Sequence, residues 1–182
     1  MKRHLNRRHF LRGLTAGAAL ASTGLPTLAR AAAASGQRLV AMHNLHTGES
    51  LEAAYWADGA LRPEVLVQVN QFLRDHRTGD VHSIDTDLLD QMYQLQRASG
   101  VERPFEIISG YRSPATNASL HNASSGVAVK SLHMQGKAID IRLPGVRLAQ
   151  LRDSALSLQA GGVGYYAQSD FIHIDTGRVR RW

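Results

Sequence analysis

The chain has 182 residues, no cysteine, 43% hydrophobic residues and 20% charged residues. That length fits one domain with a core large enough to stand without disulfides. The missing thiols exclude a disulfide framework, thiolate zinc fingers, iron–sulfur clusters and a cysteine nucleophile. The formal net charge of +6 suggests nucleic acid only until it is mapped along the chain. Lys2, Arg3, Arg7, Arg8, Arg12 and Arg30 lie in residues 1–31, which hold no acidic residue, and the remainder carries 15 basic and 15 acidic residues. A nucleic-acid binder keeps its basic surface in the folded domain, so no nucleic-acid partner is expected.

Residues 1–31 have a basic start, a moderately apolar run from Leu14 to Leu28 and then small residues, the layout of a cleaved secretory signal. Asn6-Arg7-Arg8-His9-Phe10-Leu11-Arg12 is similar to the twin-arginine export signal, and Ala29-Arg30-Ala31 offers a cleavage site. The implied partner is the twin-arginine export machinery, and the implied destination is the periplasm of a Gram-negative cell. The run contains Gly17, Gly24 and Pro26 and falls short of the ~20 apolar residues of a membrane span. No stable span is therefore expected after cleavage, and the mature domain is residues 32–182.

In the mature chain, residues 38–57 read as two strands joined by a turn at 44–49. A helix starts at Pro63, carries Val65, Leu66, Val69, Phe72 and Leu73 at helical spacing, and has a possible stop at Gly79. A second helix is expected from Asp85 or Asp87 to Gly100, with Leu88, Leu89, Met92 and Leu95 as its apolar stripe. Phe105–Ser109 reads as a buried strand, 117–124 as a short helix, 138–143 as a strand and 146–160 as a helix. Residues 163–166 and 171–175 read as a final hairpin. The class expected is α+β: one domain, a mostly antiparallel sheet and helices on one side.

The chemistry concentrates in the second half. Strand alternation puts Ile139 and Ile141 towards the core and Asp140 on the opposite face. In the last strand it puts Ile172 and Ile174 inward, and His173 and Asp175 on the opposite face. Neighbouring strands lie about 5 Å apart, so pairing of the two would bring Asp140 beside His173. A turn at Gly136 can return His133 to the same place. Two histidines and a carboxylate make a catalytic zinc set with one position left open. A histidine near an aspartate is also commonly a plain hydrogen-bonded pair, and spacing alone leaves both readings open.

The pattern Ser131-x-His133-x-x-Gly136-x-Ala138-x-Asp140, then His173-x-Asp175, with Gly110-Tyr111-Arg112-Ser113 upstream, resembles the D-Ala-D-Ala metallopeptidase group of the hedgehog-like fold. The resemblance spans roughly 38–182. It is strongest to a branch of exported murein endopeptidases, through Asn44-Leu45-His46-Thr47-Gly48-Glu49-Ser50 and Gly161-Gly162-Val163-Gly164-Tyr165-Tyr166. It implies one Zn²⁺ held by His133, Asp140 and His173, and hydrolysis of peptidoglycan peptide cross-links, favouring diaminopimelate–diaminopimelate (3–3) links over D-Ala–diaminopimelate links. Arg112 is implied as the partner of a substrate carboxylate or of the oxyanion. Relatives often carry an acidic general base three positions before the second histidine ligand, here Asp170; others carry a histidine two positions before it, where this chain has Phe171. Asp175 is the competing base or an orienting group. Ser131 and Tyr165 are expected near the substrate. A D-Ala carboxypeptidase and a non-catalytic, zinc-containing wall-binding module are the alternative readings.

Overall fold

A computed structural model describes residues 36–124 and 126–182; the expected leader at 1–31 lies outside them. The strands are β1 (Arg38–Asn44), β2 (Ser50–Ala57), β3 (Ala60–Leu61), β4 (Phe105–Ser109), β5 (Ala138–Arg142), β6 (Gly162–Tyr166), β7 (Phe171–Asp175) and β8 (Arg180–Arg181). The helices are α1 (Pro63–Phe72), α2 (Thr86–Ser99), α3 (Pro114–Ala123) and α4 (Leu148–Leu158). No helix among the described residues is long and apolar enough to cross a membrane.

All the strands form one sheet in the order β3-β2-β1-β4-β5-β7-β6-β8. Five of its seven pairings are antiparallel, and β1–β4 and β6–β8 are parallel. The α+β class and the mostly antiparallel sheet therefore agree with the sequence reading. Helices α1, α2 and α4 touch β1, β2, β6 and β7 and enclose the core, whereas α3 contributes no residue to it. In α2, Leu88, Leu89, Met92 and Leu95 are all 0% exposed. The α2 N-terminus is capped by the Asp85 carboxylate, which accepts from Asp87 N at 3.1 Å, and the helix ends at Gly100.

Three helix boundaries differ from expectation, each for a local reason. Helix α1 stops at Phe72, well before Gly79. The next residues are claimed by Asp75, whose carboxylate accepts from Arg77 N at 2.9 Å and Ser113 N at 2.8 Å, and such side-chain bonds compete with helical ones. Helix α3 begins at Pro114 rather than 117, because Ser113 Oγ caps it by accepting from Thr116 N at 3.2 Å and proline suits the first helical position. Helix α4 begins at Leu148 rather than 146, because Val146 N still bonds Leu143 O across a turn through Pro144 and Gly145.

The central antiparallel pair fixes the site. Strands β5 and β7 run in the register Ala138↔Asp175, Ile139↔Ile174, Asp140↔His173 and Ile141↔Ile172. The four isoleucines join the core, so Asp140, His173 and Asp175 share the opposite face.

Candidate metal centre

His133 reaches that face from a short 3₁₀ turn, Leu132–Gln135. Ser131 Oγ caps the turn by accepting from His133 N at 3.3 Å. Gly136 closes it with φ +65°, and a Cβ there would lie 2.1 Å from Ser83 O, so both the dihedral and the space demand glycine.

The three expected ligands converge. His133 Nε2 lies 3.2 Å from His173 Nδ1 and 3.3 Å from Asp140 Oδ1, and His173 Nδ1 lies 2.9 Å from Asp140 Oδ1. All three residues are buried. Their outer atoms fix the tautomers. His133 Nδ1 is 2.7 Å from Gly110 O, and a carbonyl only accepts, so this nitrogen carries the proton and Nε2 turns a lone pair inward. His173 Nε2 donates to Asp175 Oδ2 at 3.0 Å, which leaves Nδ1 as its inward lone pair. Two lone pairs and a carboxylate oxygen aimed at one point repel one another unless a cation lies between them. Donors about 2.0–2.1 Å from a tetrahedral ion are about 3.3 Å apart, close to the spacings seen. The residues present fit a metal ion.

The surroundings support that geometry. Burial pushes the His133 imidazole down, towards its neutral, ligating form. Burial also opposes ionisation of Asp140, but His133 and His173 more than offset it and hold the carboxyl well below its usual range. Asp140 and Asp175 on its two ring nitrogens push His173 up despite burial, so a proton and a metal ion would compete for Nδ1. Asp175 is 0% exposed and fully engaged: it accepts from Gly162 N (3.1 Å), Gly177 N (2.9 Å) and both terminal nitrogens of Arg180 (2.9 and 2.7 Å) as well as from His173. A carboxylate on the outer nitrogen of a ligand histidine fixes its ring and raises its basicity.

Arg112 Nε donates to Ser109 Oγ at 2.8 Å, and its Nη2 donates to Asp140 Oδ2. The guanidinium is thus oriented by the ligand carboxylate while still lining the cavity above the cluster. That cavity has a volume of about 230 Å³; Arg112, Lys130 and Arg180 supply its cations, and Leu132, Phe171 and Trp182 supply apolar wall.

Two expected residues lie elsewhere. Asp170 does not line the cavity; it is exposed and accepts from Arg142 Nη1 at 2.9 Å. Tyr165 faces the core side with its pairing partner Ile172 and sits under the Arg152 guanidinium, 4.6 Å from the ring centre. Tyr166 takes the cavity position instead. Ser131 lines the cavity.

The sequence reading missed Arg180, Trp182 and Asp75. Trp182 lies 5.2 Å from the His173 ring and donates from Nε1 to Tyr166 Oη at 2.8 Å. It arrives through the parallel β6–β8 pairing, which leaves no local signal. Asp75 ties the Ser113 amide, and so the Arg112 loop, to the end of α1.

Comparison with known proteins agrees with this geometry. Residues 32–182 match the family model Peptidase_M15_2, described as "Peptidoglycan L,D-endopeptidase MepK". The chain is 45% identical over 178 residues to the peptidoglycan L,D-endopeptidase MepK of Escherichia coli K12, covering 97% of both chains. It is 43% identical over 146 residues to a probable peptidoglycan L,D-endopeptidase MepK of Haemophilus influenzae, covering 80% of this chain and 78% of the relative. The chain belongs to this family of metallopeptidases.

Proposed function

We propose that the protein is a zinc-dependent endopeptidase that hydrolyses peptide cross-links of peptidoglycan, with 3–3 diaminopimelate links as its favoured substrate. One observation carries the reading: three buried ligand atoms, on Asp140, His133 and His173, converge within 3.3 Å at the floor of a cavity. Family membership supports the substrate class. The twin-arginine-like leader and the location of peptidoglycan support export to the periplasm.

In this reading His133, Asp140 and His173 hold one Zn²⁺. When bound, the ion supplies Lewis acidity for activating water and polarising the scissile carbonyl. Asp175 holds the His173 ring in its ligating tautomer. Arg112 steadies Asp140 and offers its remaining guanidinium edge to a substrate carboxylate or to developing oxyanion charge. Ser131 shapes the turn that carries His133. Tyr165 backs the strand that presents Tyr166, away from the substrate. Asp175 is saturated with donors, so Asp170 is the carboxylate assigned to accept the water's proton, a role that requires it to leave Arg142 and turn from its exposed position into the cavity. Asp170→Asn is then expected to lower kcat by roughly 10²–10⁴-fold, and a rate within a few-fold of wild type removes Asp170 from the role.

The bond assignment is tested by digesting purified 3–3 and D-Ala–diaminopimelate (4–3) dimers side by side and resolving the products by mass. Conversion of 3–3 dimers to monomers with slower attack on the 4–3 form is expected. Loss of terminal D-Ala from intact dimers would instead make the protein a carboxypeptidase. Zinc binding with no product would make it a wall-binding module.

A further inference from the structure

One wall of the cavity is a strap, residues 126–130, that has no regular secondary structure and precedes the motif that begins at Ser131. Helix α3 holds it by its carbonyls. His121 Nδ1 donates to Val127 O at 2.7 Å, and Asn117 Nδ2 donates to both Ala128 O (3.1 Å) and Val129 O (3.2 Å). Asn117 is 2% exposed, and its Oδ1 is the buried side-chain atom left without a partner among the described residues. A buried amide that leaves its own acceptor unsatisfied is costly, so this residue is committed to placing the strap.

Peptide planarity makes the consequence definite. No peptide bond among the described residues is cis, and in a trans unit the carbonyl of one residue and the N–H of the next point in opposite directions. Three successive carbonyls, 127 to 129, are bonded to α3. The three following N–H groups, of Ala128, Val129 and Lys130, therefore point away from α3. None of them has a hydrogen-bond partner among the described residues. Ala128, Lys130 and Ser131 line the cavity that holds the ligand cluster, and no residue of α3 does. Lys130 is exposed and makes no ion pair among the described residues. Free amides and a free ammonium on the wall of one cavity can hold an anion by charge-assisted hydrogen bonds.

We propose that this strap is a carboxylate-binding subsite, in which the amides of Ala128 and Lys130 and the Lys130 ammonium hold a free carboxylate of the cross-linked peptide. Asn117 is its positioning residue. The inference rests on the endopeptidase reading and supplies its substrate class: cross-links whose diaminopimelate carboxylates are free rather than amidated. Arg112, already tied to Asp140, is left for the reacting centre.

The test compares dimers with free and with amidated diaminopimelate carboxylates, reading KM by product formation and affinity by calorimetry. The wild type is expected to show a KM roughly tenfold or more lower for the free dimer, the size expected for charge-assisted hydrogen bonds. Asn117→Ala should bring that ratio towards one. Lys130→Ala, at an exposed side chain that does not threaten folding, should reduce it in the same direction. Metal content and melting temperature establish that each variant is folded. Equal KM for both dimers in the wild type overturns the subsite and leaves the endopeptidase reading standing, as does an unchanged ratio in both folded variants. Tighter binding of the free dimer without cleavage of either overturns the endopeptidase reading and keeps the subsite.

Discussion

The two faces of the β5–β7 pair share one backbone and obey different rules. On one face Ile139, Ile141, Ile172 and Ile174 meet the core, each 0–1% exposed. Their burial stabilises by area, about 25 cal/mol per Å² of apolar surface, and such a face tolerates exchange among side chains of similar volume. On the other face Asp140, His173 and Asp175 are also buried, yet each is held by named donors and acceptors. Removing any one leaves a buried charge or lone pair unmatched. Alternate residues of the same strands thus serve stability and chemistry separately, and substitutions should separate the two.

The largest effect is expected from His133→Ala or His173→Ala. Hydrolysis should be lost while the circular dichroism of the fold is largely kept, because the apolar face is untouched. An active His133→Ala protein would contradict the ligand assignment. Ile172→Ala, on the opposite face of the same strand, should do the reverse. Denaturant unfolding should show a loss of about 2–5 kcal/mol, with zinc affinity near wild type in the folded fraction. A large fall in zinc affinity there would mean that the two faces are coupled. Asp175→Asn should weaken zinc binding by about 10–100-fold in a chelator competition, since the His173 ring loses its carboxylate. Unchanged affinity would reduce Asp175 to a partner of Arg180.

The smallest effect expected is a pH dependence seated outside the cluster. Burial alone would raise the Asp75 pKa, but hydrogen bonds from Thr116, Ser113 and Arg77 hold it well below the usual carboxylate range. Its contribution is therefore fully present above the unfolded value of about 3.9 and is lost as pH falls through the lower folded value. The stability gap between wild type and Asp75→Asn should stay constant from pH 8 to 5 and shrink below about pH 4. A gap that ignores pH would place the effect of the substitution in packing rather than in charge.

These contrasts also explain what the sequence revealed. Period-two alternation in 138–142 and 171–175 was enough to assign the isoleucines inward and Asp140 with His173 outward, because each strand has one apolar face. The α2 boundaries followed from Asp85 and Gly100, whose capping is local. A two-tyrosine run does not show which ring faces the site; pairing with Ile172 puts Tyr165 with Val163 on the core side and leaves Tyr166 to line the cavity. Arg180 and Trp182 reach the site only through the parallel β6–β8 pairing, and Asp75 only through an amide 38 residues away. Contacts of that kind are tertiary and leave no periodicity to read. The strap at 126–130 carries no motif for a related reason: the groups proposed to act there are mainly main-chain amides, which every residue carries.

The central claim is that Asp140, His133 and His173 form the metal centre of a cross-link hydrolase. Its most direct test strips the mature protein with a chelator and adds back zinc in steps while 3–3 dimers are digested. The same titration is run on His133→Ala. The account predicts no cleavage by stripped protein, recovery that saturates near one zinc per chain, and no recovery in the variant. Cleavage that survives stripping, or that zinc restores equally to His133→Ala, would contradict it.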